Sequence, residues 1–526
     1  MKIAYAGYDF LIDSLKALHE QHKIQKIFTI PSGDGYDLNE QVLLFAEEHH
    51  IPVVTEPIQR EDMEVLLSQN CEVLLAAGYP YRIPVDTKLP AINIHPTLLP
   101  VGRGPWPMPA DILKGTRRSG VTIHKIATDY DAGDILLQEA YELEERENLL
   151  TLSQKIQKTA KELLVNCFED FEALYKNATP QCDSDAEYWP EPTDEDRTIH
   201  MDMPIEEVDR KLRAFAGYGC LLKTEKELFT IDMIRFRKVE LSDMEQVNSI
   251  RERYHNTLSA YTFPCIYCWR NIQELTIYME SDWFIVKCDG NDFYYPCGNP
   301  TKSELFLRFM KMRREYFRLG YIPENVKELV EDDPDFMVTQ DRDNYDYLVP
   351  MQQIAALEGK HFKTIRKEVH QFERSGVLEV EELNEDNVHE VERLAIEWSE
   401  YVTGVKDSAD TIAEESAVKH FTELKMQGIL AKKDGEYFGF VMGSRLDDQT
   451  IDAHFSKCID KSPGADFFCK QKFCEYFADQ YEYMNMEEDM GIEGIRTRKM
   501  LFRPTSLTPV FLASYGKQNG EKYGQW

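Results

Sequence analysis

Apolar residues in the first hundred positions fall alternately into short blocks and into helical spacing. Residues 2–6 read as a strand, residues 10–19 as a helix with Leu11, Leu15 and Leu18 on one face, and residues 26–30 as the next strand. A helix over 38–49, a short strand at Val53, a helix around 63–67 and apolar strands at 73–77 and 91–94 continue the rhythm. Such βαβα alternation predicts an α/β fold with a doubly wound, mostly parallel, Rossmann-like sheet, whose ligands gather beyond the carboxyl ends of the strands.

A long amphipathic helix carrying Leu152, Ile156, Leu163, Cys167, Phe171 and Leu174 closes this region. Residues 177–196 are polar, acidic and interrupted by Pro180, Pro190 and Pro192, the composition of a linker. Residues 197–240 read as a small accessory unit with a helix over 205–214, a turn at Gly217 and Gly219, and short strands. Farther on, pairs of apolar strands flank Asp289-Gly290 and again Asp434-Gly435, a strong hairpin signal used twice. The expected division is 1–176, 177–240, 241–348 and 349–526, the last two being related α+β units in tandem.

Composition narrows the class of protein. Of 526 residues, 43% are hydrophobic and 29% charged, as in ordinary globular chains. Sixty Lys and Arg against 93 Asp and Glu give a net charge of −33, which repels polyanions and disfavours DNA or general nucleic-acid coating. No run reaches the roughly 18 apolar residues of a membrane span, and the first residues read as mature protein. Eleven scattered Cys fit reduced thiols and a cytoplasmic location. Cys265 and Cys268 form a lone CxxC without further ligands nearby, so packed core thiols are expected and no metal.

The chemistry gathers near residue 93. The turn after the first strand, Gly7-Tyr8-Asp9-Phe10, lacks the glycines of a dinucleotide site. In the extended segment Asn93-Ile94-His95-Pro96, residues two apart project to one side, so Asn93 and His95 converge at a strand end. The strand 120–124 then feeds an acidic turn, Asp129 to Asp134, from which a carboxylate can return to the imidazole. Amide, imidazole and carboxylate together make an acyl-transfer set of oxyanion stabiliser, acid/base and orienter. Taken singly, His95 also reads as a satisfied strand-end histidine and Asp131 as a turn former.

The stretches AINIHPTLLPVGRGPWPMPADILKG, SGVTIHKI and DYDAGDILLQ resemble the 10-formyltetrahydrofolate-dependent formyltransferases, over roughly residues 1–175. The resemblance implies that Asn93 and His95 hydrogen-bond the formyl oxygen, and that Asp131 orients His95 and helps take a proton from the attacking amine. It implies 10-formyltetrahydrofolate as co-substrate, with Arg82 and Ile83 of the loop 78–84 on the pterin side, and Thr122, His124 and Asp129 lining the same crevice. Arg103 and Trp106 bind the acceptor or close the turn. Residues 197–240 resemble a truncated start of the family's C-terminal domain; with the net charge of −33, this favours a small-molecule amine over tRNA as acceptor.

Residues 241–526 resemble the phosphatidylglycerol lysyltransferase C-terminal domain, a tandem GNAT-type acyltransferase fold, through NTLSAYTFPCIYCWR, YLVPMQQIAALEGKHFKTIRKEVHQF and NMEEDMGIEGIRTRKMLFRP. The resemblance implies an acyl-CoA or aminoacyl-tRNA donor in a splayed strand pair, although Lys461-Ser462-Pro463-Gly464-Ala465 has too few glycines for acetyl-CoA. Lys360, Lys363, Lys367, His370 and Arg374 form a basic helical stripe that grips phosphates or is simply a solvated face. Near 485–491, carboxylates adjoin Arg496, Arg498 and Lys499 as a ligand site or an ion-pair network, and no catalytic residue is assigned there. The expected protein is a bifunctional formyltransferase and acyl- or aminoacyltransferase. The alternative is an amino-sugar or methionyl-tRNA formyltransferase with a non-catalytic C-terminal binding module.

Overall fold

A computed structural model describes residues 1–31, 38–225, 227–406 and 408–516. The chain divides into two compact units, Met1–Met233 and Ile234–Trp526.

In the first unit the described strands are β1 (Lys2–Gly7), β2 (Lys23–Phe28), β3 (Val53–Val54), β4 (Val73–Ala77), β5 (Ala91–His95), β6 (Val101–Arg103), β7 (Arg118–Lys125) and β8 (Ile135–Glu142). The main sheet has the order β3-β2-β1-β4-β5-β7-β8. β1 to β5 run parallel, as the βαβα pattern predicts, and the β7–β8 hairpin adds antiparallel strands at one edge. Helices α1 (Ile12–Gln21), α2 (Glu40–Glu48), α3 (Arg60–Ser68), α4 (Met108–Lys114) and α5 (Leu149–Glu169) accompany them. Alternation along β1 sends Ala4 and Ala6 to one face, against Met63 and Leu66 of α3, while Tyr5 on the other face bonds the Leu11 carbonyl ahead of α1. α5 packs against α1 and the β7–β8 edge through buried Leu152, Ile156 and Leu163. It ends at Glu169, and a separate short helix, Phe171–Lys176, carries the rest of the predicted helical stripe.

The stretch 177–196 is not a free tether. Thr179 exchanges two 2.8 Å backbone bonds with Ile135, Glu187–Tyr188 pairs with β6, and Trp189 is buried. Most of its polar side chains are exposed, but these contacts fix the segment against the first unit. The accessory unit contains the expected helix, Ile205–Ala214, and a sheet of Thr198–His200, Cys220–Lys223 and Leu228–Ile231.

The second unit has two sheets among the described residues. The first runs Arg237–Lys238, Thr276–Met279, Trp283–Lys287, Asp292–Tyr294, Phe317–Pro323, Val510–Tyr515 and Phe336–Gln340. The second runs Leu378–Glu382, Gln427–Lys433, Glu436–Arg445, Thr450–Cys458, Tyr483–Asn485, Asp346–Pro350 and Ser506–Thr508. Both predicted hairpins are present; Asp434 and Gly435 take φ of 53° and 89°, as a tight turn between twisted strands requires. Each sheet interrupts its antiparallel order with a parallel pair, Asp292–Tyr294 on Phe317–Pro323 and Thr450–Cys458 on Tyr483–Asn485. The repeats are interlocked. Asp346–Pro350 joins the second sheet, and the late strand Val510–Tyr515 returns to the first, so a cut between 348 and 349 passes through a strand. Ile277, Phe284 and Tyr294 share one core with Leu394, Met442 and Phe455, which binds the repeats into one body. No helix among the described residues is long and apolar enough to cross a membrane.

Candidate active site

The β5–β7 register places Asn93 opposite His124 and His95 opposite Thr122. Cross-strand partners share a face, and so do residues two apart, so all four side chains stand on one side of the sheet. His124 Nδ1 lies 2.8 Å from the Lys125 carbonyl. A carbonyl only accepts, so this nitrogen carries the proton and Nε2 is left to accept from Asn93 Nδ2 at 3.1 Å. His95 Nε2 likewise donates to the Gly102 carbonyl at 2.8 Å, which leaves Nδ1 as its proton-exchanging atom.

Asp131 comes from the β7–β8 connection. Its φ of 55° lies in the left-handed region that Asp tolerates. Two residues on, a Cβ on Gly133 would stand 1.9 Å from the Lys125 carbonyl, so the tight return needs glycine. Asp131 Oδ1 lies 3.4 Å from Asn93 Nδ2 and 3.5 Å from both His95 Nδ1 and His124 Nε2, while Oδ2 accepts from the Gly104 backbone at 3.0 Å.

Electrostatics separate the two ionisable partners. Burial lowers the affinity of His95 for a proton, more than Asp131 raises it, so the imidazole titrates below 6.5. Burial alone raises the Asp131 carboxyl, but His95, His124 and the Gly104 N–H outweigh it and hold it at about 2. At neutral pH the site pairs a neutral imidazole with a carboxylate.

The other sequence-predicted residues divide in two. Thr122 and His124 share the sheet face of Asn93 and His95, but the buried Thr122 hydroxyl donates to the Thr97 carbonyl and accepts from the Leu99 N–H and Gln138, supporting the 97–100 loop. Arg82 is exposed, bonds the Thr128 carbonyl at 2.6 Å and stands 5.6 Å from the Tyr130 ring centre; Ile83 is buried and Asp129 exposed. Arg103 is held by Gln181 and Asp183, and Trp106 packs on Tyr218 at 4.7 Å. Gln181 escaped the sequence reading. Its amide donates to the carbonyls of Asp131 and Gly133, both at 2.7 Å, and so fixes the acidic turn from a segment read as linker.

In the second unit, Lys360, Lys363, Lys367, His370 and Arg374 are exposed, while Ile365, Val369 and Phe372 cover the core side of the same helix. The carboxylate of buried Asp489 accepts from Arg342, Arg496, Tyr347 and the Gly491 N–H, an ion-pair hub that ties Asp346–Pro350 to the helix Glu493–Leu501. Cys268 lies in the apolar core, where burial pushes its thiol to about 12.

Comparison with known proteins follows the same division. The formyl transferase family profile matches residues 38–168, and that of phosphatidylglycerol lysyltransferase, C-terminal, matches residues 251–514. The methionyl-tRNA formyltransferase of Coprothermobacter proteolyticus is 31% identical over 256 residues, 47% of this chain and 82% of that protein. That of Rickettsia massiliae is 33% identical over 184 residues, 33% of this chain, which spans 61% of that protein's length. Among solved structures, a conserved protein of unknown function from Bacteroides thetaiotaomicron has a TM-score of 0.49 at 23% identity, covering 54% of this chain and all of that one. The chain belongs to the formyl transferase family in its N-terminal half and to the phosphatidylglycerol lysyltransferase C-terminal family in its C-terminal half.

Proposed function

We propose that the N-terminal unit moves a formyl group from 10-formyltetrahydrofolate to the primary amine of a small metabolite. The observation that carries this reading is the convergence of Asn93, His95 and His124 within 3.4–3.5 Å of one carboxylate oxygen of Asp131. In this reading the neutral amine attacks the formyl carbon, and its proton passes to His95 Nδ1 beside Asp131. Asn93, held by His124 and turning toward the substrate the N–H it directs at Asp131, and the newly protonated His95 donate to the oxyanion; each good donor contributes about 3–4 kcal/mol at the transition state. The carbon–N10 bond then breaks as the proton moves to N10, releasing tetrahydrofolate and the formamide. The site needs no covalent enzyme intermediate. Arg82, Ile83 and Asp129 belong to the folate side, as the family resemblance implies.

Net charge of −33 supports a small amine, including an amino sugar, over a polyanionic acceptor. Methionyl-tRNA is the second reading, favoured by the 31% identity to an enzyme of that name. The C-terminal half is an acyl- or aminoacyltransferase-like module fed by acyl-CoA or aminoacyl-tRNA, or a module that presents the acceptor; its parallel strand pairs support the GNAT-type reading. The test is to incubate the purified chain with 10-formyltetrahydrofolate and a panel of amino acids, amino sugars and methionyl-tRNA. Amine-dependent tetrahydrofolate release matched by formamide supports the proposal, and release no faster than donor hydrolysis with every amine contradicts it.

A further inference from the structure

A second polar cluster lies in the C-terminal unit, at a place no part of the formyl-transfer reading uses. Thr450–Cys458 and Tyr483–Asn485 run parallel through Thr450, Ile451 and Asp452, and their pairing ends at Asp452 and Asn485. Just there Asp452, His454 and Glu487 turn toward each other, each with a nitrogen or oxygen donor atom within 4.8 Å of the others. His454 Nδ1 is 2.7 Å from Glu487 Oε1 and 3.7 Å from Asp452 Oδ2. Asp452 is 0% exposed, yet neither of its oxygens has a hydrogen-bond partner among the described residues. A buried carboxylate left in this state needs a counter-charge or a proton.

The neighbours supply charge at a distance but no bond: buried Arg251 acts electrostatically on Asp452, while its guanidinium bonds the carbonyls of Asn256 and Leu446. The Lys499 ammonium donates to the main-chain carbonyls of Met486, Glu487 and Glu488 and lends its charge to the carboxylates of Glu487 and Glu488, without a bond to Asp452. Asp346 is occupied by the N–H and hydroxyl of Ser259. Glu487 takes a φ of 56°, an uncommon conformation for a side chain of this size, and its carboxylate meets His454 Nδ1.

We infer that Asp452, His454 and Glu487 form a binding site for one divalent transition-metal ion of the zinc or manganese class. Imidazole with two carboxylates is a donor set that suits these ions. Spacing separates an ion from a substrate ammonium. Three donors about 2.1 Å from a tetrahedral metal stand about 3.4 Å apart. Three acceptors about 2.8 Å from an ammonium stand about 4.6 Å apart. The two separations from His454 Nδ1, 2.7 and 3.7 Å, lie nearer the metal value than the ammonium value, the shorter being also a direct hydrogen bond to Glu487. His454 also has the outer support of a metal ligand: Nε2 meets Ser444 Oγ at 2.8 Å, which fixes the ring and leaves Nδ1 facing the carboxylates. Three protein ligands leave a fourth position open for water or substrate at the strand gap.

The test uses the full chain, stripped with chelator and dialysed, then titrated with Zn²⁺ alone in a calorimeter. One equivalent is expected to bind, with affinity reduced at least tenfold in Asp452→Asn and in His454→Gln. Thermal unfolding monitors whether these variants fold. Ser444→Ala keeps all three ligands and is expected to weaken binding by about tenfold through loss of the outer support. Co²⁺ substitution adds a spectroscopic readout, since His454→Gln changes its visible bands only if His454 is a ligand. The absence of stoichiometric Zn²⁺ binding, or an equivalent held equally well by folded Asp452→Asn, overturns the assignment. Binding of lysine amide with the same variant sensitivity and no Zn²⁺ uptake overturns it as well.

Discussion

His95 Nδ1 and Asp131 Oδ1 face each other at 3.5 Å, farther apart than a direct hydrogen bond, while each residue is fixed from behind by main chain. His95 is anchored by the Gly102 carbonyl and Asp131 by the Gly104 N–H, so one short loop sets the gap between base and carboxylate. In the proposed reaction the amine proton is taken up at this gap.

Replacing Asp131 with Asn keeps size and removes charge. The variant is expected to lose about 10²–10⁴ in kcat, the range of positioned acid–base contributions, with little change in KM for the folate. Steady-state kinetics with both substrates varied separates these effects. A loss confined to KM contradicts a role in the chemical step.

The pH profile has a defined sign. On the proposed mechanism His95 must be neutral to accept a proton, and burial sets its titration below 6.5, so the enzyme's limb of kcat/KM rises with pH below 6.5, and a further rise follows deprotonation of the acceptor amine. Because Asp131 raises the proton affinity of His95, Asp131→Asn moves the acidic limb to still lower pH. For stability, the Asp131 carboxyl is held below its ordinary 3.8, so its contribution is present above that value and lost as pH falls toward about 2. Acid unfolding of wild type and Asp131→Asn checks this. A rise above 6.5 that does not shift with the pKa of the acceptor amine contradicts the assignment of His95 as the base.

Gln181→Ala tests a positioning residue. It removes two 2.7 Å bonds to the Asp131–Gly133 turn and one of the two partners of Arg103, leaving Asp183. Since Gln181 touches no reacting atom, kcat is expected to fall about tenfold while the acidic pKa of the profile stays within a few tenths. Gln181→Glu, which keeps the acceptor for Arg103 but loses the donor to the turn, should resemble the alanine variant.

Thr122→Val leaves the Leu99 N–H and one Gln138 donor unpaired in a buried site. A stability loss of about 1–3 kcal/mol is expected in denaturant unfolding. Loss of folate affinity with unchanged stability would instead place its hydroxyl in the crevice.

Most of the first unit was legible because period and chemistry agree locally. Alternation along 91–95 predicts the shared face of Asn93 and His95, and the register with 118–125 adds His124. The role of 177–196 was hidden, because its contacts are side chain to backbone and leave no periodicity: the value of Gln181 depends on loops some fifty residues earlier in the chain. In the second unit both Asp-Gly hairpins were legible from local turn chemistry. The exchange of Asp346–Pro350 and Val510–Tyr515 between sheets was not, since strand composition does not specify which partner a strand pairs with. Glu487 stood in a motif already singled out, but its encounter with His454 depends on that topology.

The most direct measurement supplies the enzyme with 10-formyltetrahydrofolate labelled in the formyl carbon and a cell extract as the source of amines, then follows the label by mass. Wild type is predicted to place it on one amine as a formamide, and His95→Ala and Asp131→Asn, folded to the same extent, to leave it on the donor or in formate. Equal labelling by wild type and both variants, or no amine labelled by wild type, would contradict the account.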